Sequence, residues 1–126
     1  MDLSIIIVNY NVKEFLQNCI NSIQKATKNI TSEIIVVDNA SDDGSVELLQ
    51  AQFPEVKLFI NEKNLGFSAA NNIGLKYSSG KYLLLLNPDT IVEENTFDTL
   101  IDFFQKTPDA GLAGCKILNP DGTLQL

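Results

Sequence analysis

Two kinds of hydrophobic spacing alternate along the chain. Leu3-Ser4-Ile5-Ile6-Ile7-Val8 is a short, nearly continuous β-branched run, the pattern of a strand covered on both faces of a parallel sheet. Asn9-Tyr10-Asn11 breaks the run. Phe15, Leu16, Cys19, Ile20 and Ile23 then recur at helical spacing, with Asn11 placed to cap that helix. Residues 33–37 form a second apolar run, ended by the turn formers from Asp38 to Gly44. Ser45 is the expected cap of a helix over residues 46–52, which Pro54 closes. Residues 56–60 read as a third strand and 67–77 as a third helix, ended by Ser78-Ser79-Gly80. A fourth strand over 82–86 runs into Asn87-Pro88-Asp89. A helix over 96–106 and a further strand over 112–118 complete the pattern.

Strands alternating with helices predict an α/β domain: a mostly parallel, Rossmann-like sheet flanked by helices. In such sheets ligands bind beyond the carboxyl ends of the strands. The polar clusters sit at those ends: Asn9-Tyr10-Asn11, Asp38-Asn39, Asn61 to Asn64, and Asn87-Pro88-Asp89. Val8, Val37 and Leu86 should therefore share one edge, and Tyr10, Asp38 and Asp89 one site.

Composition narrows the chemistry. A length of 126 residues with 44% hydrophobic and 20% charged positions suits a single folded domain. The net charge of -7 disfavours nucleic acid as a partner. All nine basic residues are Lys, and His is absent. A Ser-His-Asp triad, a histidine base and histidine metal ligands are thereby excluded. Cys19 and Cys115 are far apart and belong to no CxxC, so both are expected to be buried thiols in a reducing compartment. The apolar runs are too short to span a membrane, and Met1-Asp2 lacks the basic start of a signal peptide. The expected location is cytoplasmic, at the membrane's inner face if the full-length protein meets the membrane at all.

Each polar cluster has a structural and a functional reading. Tyr10 either covers the core edge or stacks on a nucleobase. Asp38-Asn39 is a turn, and its side chains can also accept the N–H of a uracil or thymine. Asn87-Pro88-Asp89 projects one acid from the end of an apolar strand, with Pro88 fixing the backbone before it. An acidic protein without Arg can hold a diphosphate through a hard divalent cation, Mg²⁺ or Mn²⁺, bridged by Asp89. The small-residue stretch from Asn64 through Gly66 to Gly74 opens a helix, where an anion can approach the backbone. It is neither a Walker loop nor GxGxxG. Asp42, Asp43, Glu93 and Glu94 read as solvated loop and helix-start charges.

Taken together, five segments resemble the amino-terminal half of the family 2 inverting glycosyltransferases. They are residues 4–11, 35–45, Asn64-Leu65-Gly66-Phe67, Ala70-Asn71-Asn72-Ile73-Gly74, and 80–89. The resemblance implies a GT-A fold and transfer of a sugar from a UDP- or dTDP-sugar, with a divalent metal. The acceptor would be a hydroxyl of a saccharide or lipid-linked saccharide in cell-surface polysaccharide assembly. It implies a nucleotide site of Asn9, Tyr10, Asp38, Asn39, Asn64, Gly66, Asn71, Asn72 and Asn87, with Asp89 as the metal acid. Asn87 replaces the first acid of the family's DxD, as in a rhamnosyltransferase-like branch, and Asn71 stands where many relatives carry Arg. The family's general base lies beyond the position of Leu126. The chain therefore reads as a donor-binding half truncated from a longer enzyme, inactive alone, with an apolar edge favouring self-association. Two alternatives stand beside it: a non-catalytic nucleotide-binding module, and a nucleotidyltransferase. The latter would want a Gly-rich, Arg-bearing loop that Asn9-Tyr10-Asn11-Val12-Lys13 does not supply.

Overall fold

A computed structural model describes residues 1–125. The strands are β1 (Leu3–Asn9), β2 (Ser32–Asp38), β3 (Lys57–Ile60) and β4 (Tyr82–Leu85). The helices are α1 (Lys13–Ala26), α2 (Ser45–Gln52), α3 (Phe67–Lys76) and α4 (Thr96–Lys106). The sheet order is β3-β2-β1-β4, and every pairing is parallel. β1 and β2 run in register from Leu3 opposite Ser32 to Asn9 opposite Asp38, so their polar ends emerge side by side.

Alternation along β1 sorts the core into two layers. Ile5 and Ile7 face one way, packed with Leu16, Ile20 and Ile23 of α1, Leu49 of α2 and Phe97 of α4. Ile6 faces the other way, with Ile35, Val37 and Ala70 of α3. α3 lies close because residue 74 is glycine: a Cβ there would stand 2.4 Å from Ile6 Cγ2. Burial of β1 and β2 on both faces explains their continuous apolar runs. β4, at the sheet's edge, differs, leaving Leu83 and Leu85 about half exposed.

Five local expectations are corrected. Residues 112–118 form no strand; Leu112 is 92% exposed, and the region's single ladder contact is an antiparallel bridge from Leu118 to Leu124. Gly111 and Gly114 interrupt that run, and side chains without a facing layer have nothing to hold them in a strand. Asn11 does not cap α1. It sits at φ 51°, and Asp43 accepts the Lys13 N–H at 2.9 Å instead. Asp43 also accepts the Ser45 N–H at 3.0 Å and the Ser45 hydroxyl, so one carboxylate serves the starts of two helices. Asp43 is therefore a tethered cap and not a solvated charge, and Ser45 is a buried first residue of α2 whose N-cap is Gly44. Cys19 is buried as expected, whereas Cys115 is exposed.

Candidate functional site

The carboxyl ends of β1, β2 and β4 open onto a cavity of about 400 Å³. Tyr10, Asn39, Asn64, Gly66, Asn87 and Asp89 line it. Val8, Val12, Phe67 and Pro88 supply its apolar wall. Phe67 is 58% exposed and Tyr10 50% exposed, so two aromatic rings stand at this opening. The sequence pattern placed Phe67 at a helix start without assigning it a contact. Its exposure on a cavity wall is the missing signal.

Asn9 and Asp38 lie behind this surface, both fully buried. Asn9 Nδ2 donates to Asp38 Oδ1 at 2.8 Å and to Ser41 Oγ at 3.2 Å, while Asp38 Oδ2 accepts the Ser41 N–H at 2.9 Å. Asp38 therefore shapes the turn from within. Asn39 ties three segments together: its Oδ1 accepts from Asn61 Nδ2 at 2.9 Å and the Leu65 N–H at 3.3 Å, and its Nδ2 donates to Gly66 O at 3.2 Å. Asn64 Oδ1 accepts the Gly66 N–H at 2.9 Å. Asn71 is buried within α3, whereas Asn72 is exposed; neither lines the cavity. Glu93 and Asp121 do not line it either.

Two buried polar atoms lack a partner among the described residues, Asn9 Oδ1 and Asn71 Nδ2. Such groups are uncommon, because an unmet buried donor or acceptor costs about 1–3 kcal/mol.

Asp89 is the acid of this cavity and lies exposed at its wall. Among the described residues no group of three or more His, Cys, Asp and Glu side chains could hold a metal ion. A protein-only cage is therefore ruled out for those residues. One carboxylate fits the mode in which Mg²⁺ or Mn²⁺ keeps several waters and shares its coordination with substrate phosphates. Behind the turn, Cys19 lies within hydrogen-bonding distance of Asn87 O (3.8 Å) and Thr90 Oγ1 (3.9 Å). Burial pushes its thiol up to about 11, outweighing the contact with Thr90, and nearby Asp89 adds to the rise. Cys19 thus stays a protonated donor at neutral pH.

The parallel, helix-flanked sheet with a cavity at its carboxyl edge matches the Rossmann-like GT-A fold of S. aureus TarS. The chain belongs to glycosyl transferase family 2, whose pattern matches residues 4–125. It is 34% identical over 109 residues to the minor teichoic acid biosynthesis protein GgaB of Bacillus subtilis, covering 83% of this chain and 12% of that protein. It is 33% identical over 126 residues to the low-salt glycan biosynthesis hexosyltransferase Agl10 of Haloferax volcanii, covering 96% and 38%. The crystal structure of S. aureus TarS residues 1–349 in complex with UDP superimposes with a TM-score of 0.76 at 23% identity, covering 84% of this chain and 32% of that one. The same protein is known in complex with UDP-GlcNAc. The chain spans well under half the length of these relatives.

Proposed function

We propose that the protein transfers a sugar, with inversion, from a UDP- or dTDP-sugar to a hydroxyl of a saccharide or lipid-linked saccharide. The observation that carries this reading is the cavity itself. It sets two aromatic rings and a wall of asparagines on one side and one carboxylate, Asp89, on the other. Tyr10 offers a stacking face for the base. Asn39, Asn64, Gly66 and Asn87 contact the nucleoside and its ribose, with Asn9 and Asp38 as the frame behind them. Asn71 and Asn72 lie on α3 outside the cavity lining, and their part in the nucleotide site would be to shape it from the α3 side. Asp89 would hold Mg²⁺ or Mn²⁺, which neutralises charge on the leaving diphosphate when bound. A net charge of -7 disfavours an anionic donor, so such neutralisation favours its binding.

Inversion requires a base opposite the leaving group. With Asp89 committed to the metal, no second carboxylate among the described residues lines the cavity. These 126 residues alone are therefore proposed to bind donor and to transfer little. Asn87 in place of an acid supports a rhamnosyltransferase-like branch. GgaB and Agl10, by their names, support a setting in cell-surface polysaccharide or glycan assembly and a hexosyl donor. No helix among the described residues is long and apolar enough to cross a membrane, which is compatible with work at the cytoplasmic face. An apolar groove of about 410 Å³ between β4, α4 and residues 110–113 supports self-association of this chain.

Calorimetric titration with UDP-, dTDP- and GDP-sugars in Mn²⁺ tests the reading. Binding of a UDP- or dTDP-sugar that weakens about tenfold or more on chelation is the expected result. No nucleotide binding in any series would overturn it.

A further inference from the structure

The turn that carries Asp89 is fastened from behind by one face of α1. Asn87 O accepts the Thr90 hydroxyl at 2.7 Å and the Cys19 thiol at 3.8 Å. Ser22 Oγ accepts the Val92 N–H at 3.1 Å and itself donates to Cys19 O at 2.7 Å. Cys19 and Ser22 are three apart and so share a helix face. Both are buried, among apolar neighbours such as Ile20 and Ile23. The bonds bracket Asp89: one anchor lies two residues before it, the other three residues after. No ion pair restrains the acid itself, since the pairs among the described residues are Glu33–Lys57 and Asp102–Lys106. Its direction is set by the backbone turn alone.

We propose that Cys19, Ser22 and Thr90 are positioning residues for Asp89, holding its turn so that the carboxylate meets the donor diphosphate and its metal. The inference rests on the reading of Asp89 as the metal acid. None of the three lines the cavity, so their loss removes no direct contact with the nucleotide. Without the anchors the turn samples other orientations, and only a fraction of molecules present the acid correctly. Apparent metal-dependent affinity then falls by that fraction, while contacts that need no metal are untouched.

The test is calorimetric titration of UDP into the full chain, in excess Mn²⁺ and in EDTA. The ratio of the two affinities is the readout, and the melting temperature is recorded beside it. Thr90→Val should lower the Mn²⁺-dependent gain about fivefold, the scale of one net hydrogen bond, with the EDTA affinity unchanged. Thr90→Ser keeps the hydroxyl and should stay within about twofold of the unmodified chain. Ser22→Ala should shift the ratio in the same direction as Thr90→Val, and it decides the matter if Thr90→Val does not fold. An unmodified chain with no Mn²⁺-dependent gain overturns the reading of Asp89 and the positioning role together. A gain preserved in both Thr90→Val and Ser22→Ala overturns the positioning role alone. So does an equal loss in Mn²⁺ and EDTA, or a Thr90→Ser variant as weak as Thr90→Val.

Discussion

The two ends of the sheet both bury polar side chains, and they treat them oppositely. At the amino end, Glu33 Oε1 accepts from Ser4 Oγ at 2.5 Å, the Ser79 N–H at 2.7 Å and the Ser79 hydroxyl at 2.8 Å. Its Oε2 is paired with Lys57. Ser4 Oγ accepts in turn the Gly80 N–H at 2.8 Å. Gly80 is packed so tightly that a Cβ would stand 2.4 Å from the Ser4 backbone nitrogen. Nothing there is left open to a ligand. At the carboxyl end, Asn9 Oδ1 and Asn71 Nδ2 are buried without partners among the described residues, and a cavity opens among the asparagines. A closed network locks a loop to the sheet; an open one keeps hydrogen-bonding capacity for a ligand.

Breaking the closed end should produce the largest effect. Glu33→Ala takes the acceptor from Ser4 Oγ and the Ser79 N–H, while the half-exposed Lys57 turns to water, and should destabilise the fold by about 2 kcal/mol. Denaturant melts measure this, and UDP affinity of the folded fraction should be unchanged. A loss of UDP affinity without a loss of stability would erase the contrast between the ends. Acid sharpens the same point. Burial works against the Glu33 carboxylate, but Lys57, Ser4 and Ser79 hold it down to about 2 from its ordinary 4.5. A depressed carboxylate stabilises the fold above its unfolded value. That contribution should fade as pH falls from about 4.5 towards about 2, and Glu33→Gln should flatten the stability profile in that window.

At the open end the expected effect lies in binding and not in stability. Asp89 is exposed and forms no ion pair among the described residues, so Asp89→Ala should leave the melting temperature nearly unchanged. UDP affinity in Mn²⁺ should fall by tenfold or more, the scale of ~1.5–3 kcal/mol for a charge-assisted contact. Titration in Mn²⁺ and in EDTA separates the two contributions. Equal affinities with and without the acid would remove Asp89 from the site.

The contrast was only half visible in the sequence. Apolar runs and helical spacing gave all eight elements in order, and the polar breaks after them marked the cavity edge. Local pattern reads well where the residues that matter are neighbours in the chain. It failed where the partner lies far away. Asp43 caps α1 across 30 residues and displaced Asn11 from that role. Glu33 looked like the first residue of an apolar strand, yet its partners include Ser79, 46 positions on. Cys19 read as part of a helix core face and Ser22 carried no reading, and their contacts with Asn87 and Val92 are set by packing alone. Residues 112–118 failed for the opposite reason: an apolar run with no facing layer has no cause to be a strand.

The smallest prediction concerns backbone strain, which also separates the ends. The two non-glycine residues with positive φ among the described residues, Asn11 at 51° and Ala40 at 62°, are chain neighbours of the cavity-lining Tyr10, Val12 and Asn39. In this region a Cβ approaches the following carbonyl oxygen, at roughly 1–2 kcal/mol. Asn11 recovers part of that cost, since its Oδ1 accepts the Asp42 N–H at 2.9 Å. Ala40 has no polar side chain with which to recover anything. Ala40→Gly removes the clash but gains freedom in the unfolded chain, an opposing effect of about 0.4–1 kcal/mol. The net expectation is stabilisation by about 0.5 kcal/mol. Asn11→Gly loses the hydrogen bond along with the strain and should be neutral or destabilising. Paired denaturant melts of the two variants decide the point. If Asn11→Gly stabilised as much as Ala40→Gly, the Asn11 side chain would not be holding its turn. The ordered contacts drawn around the cavity's first loop would then be wrong.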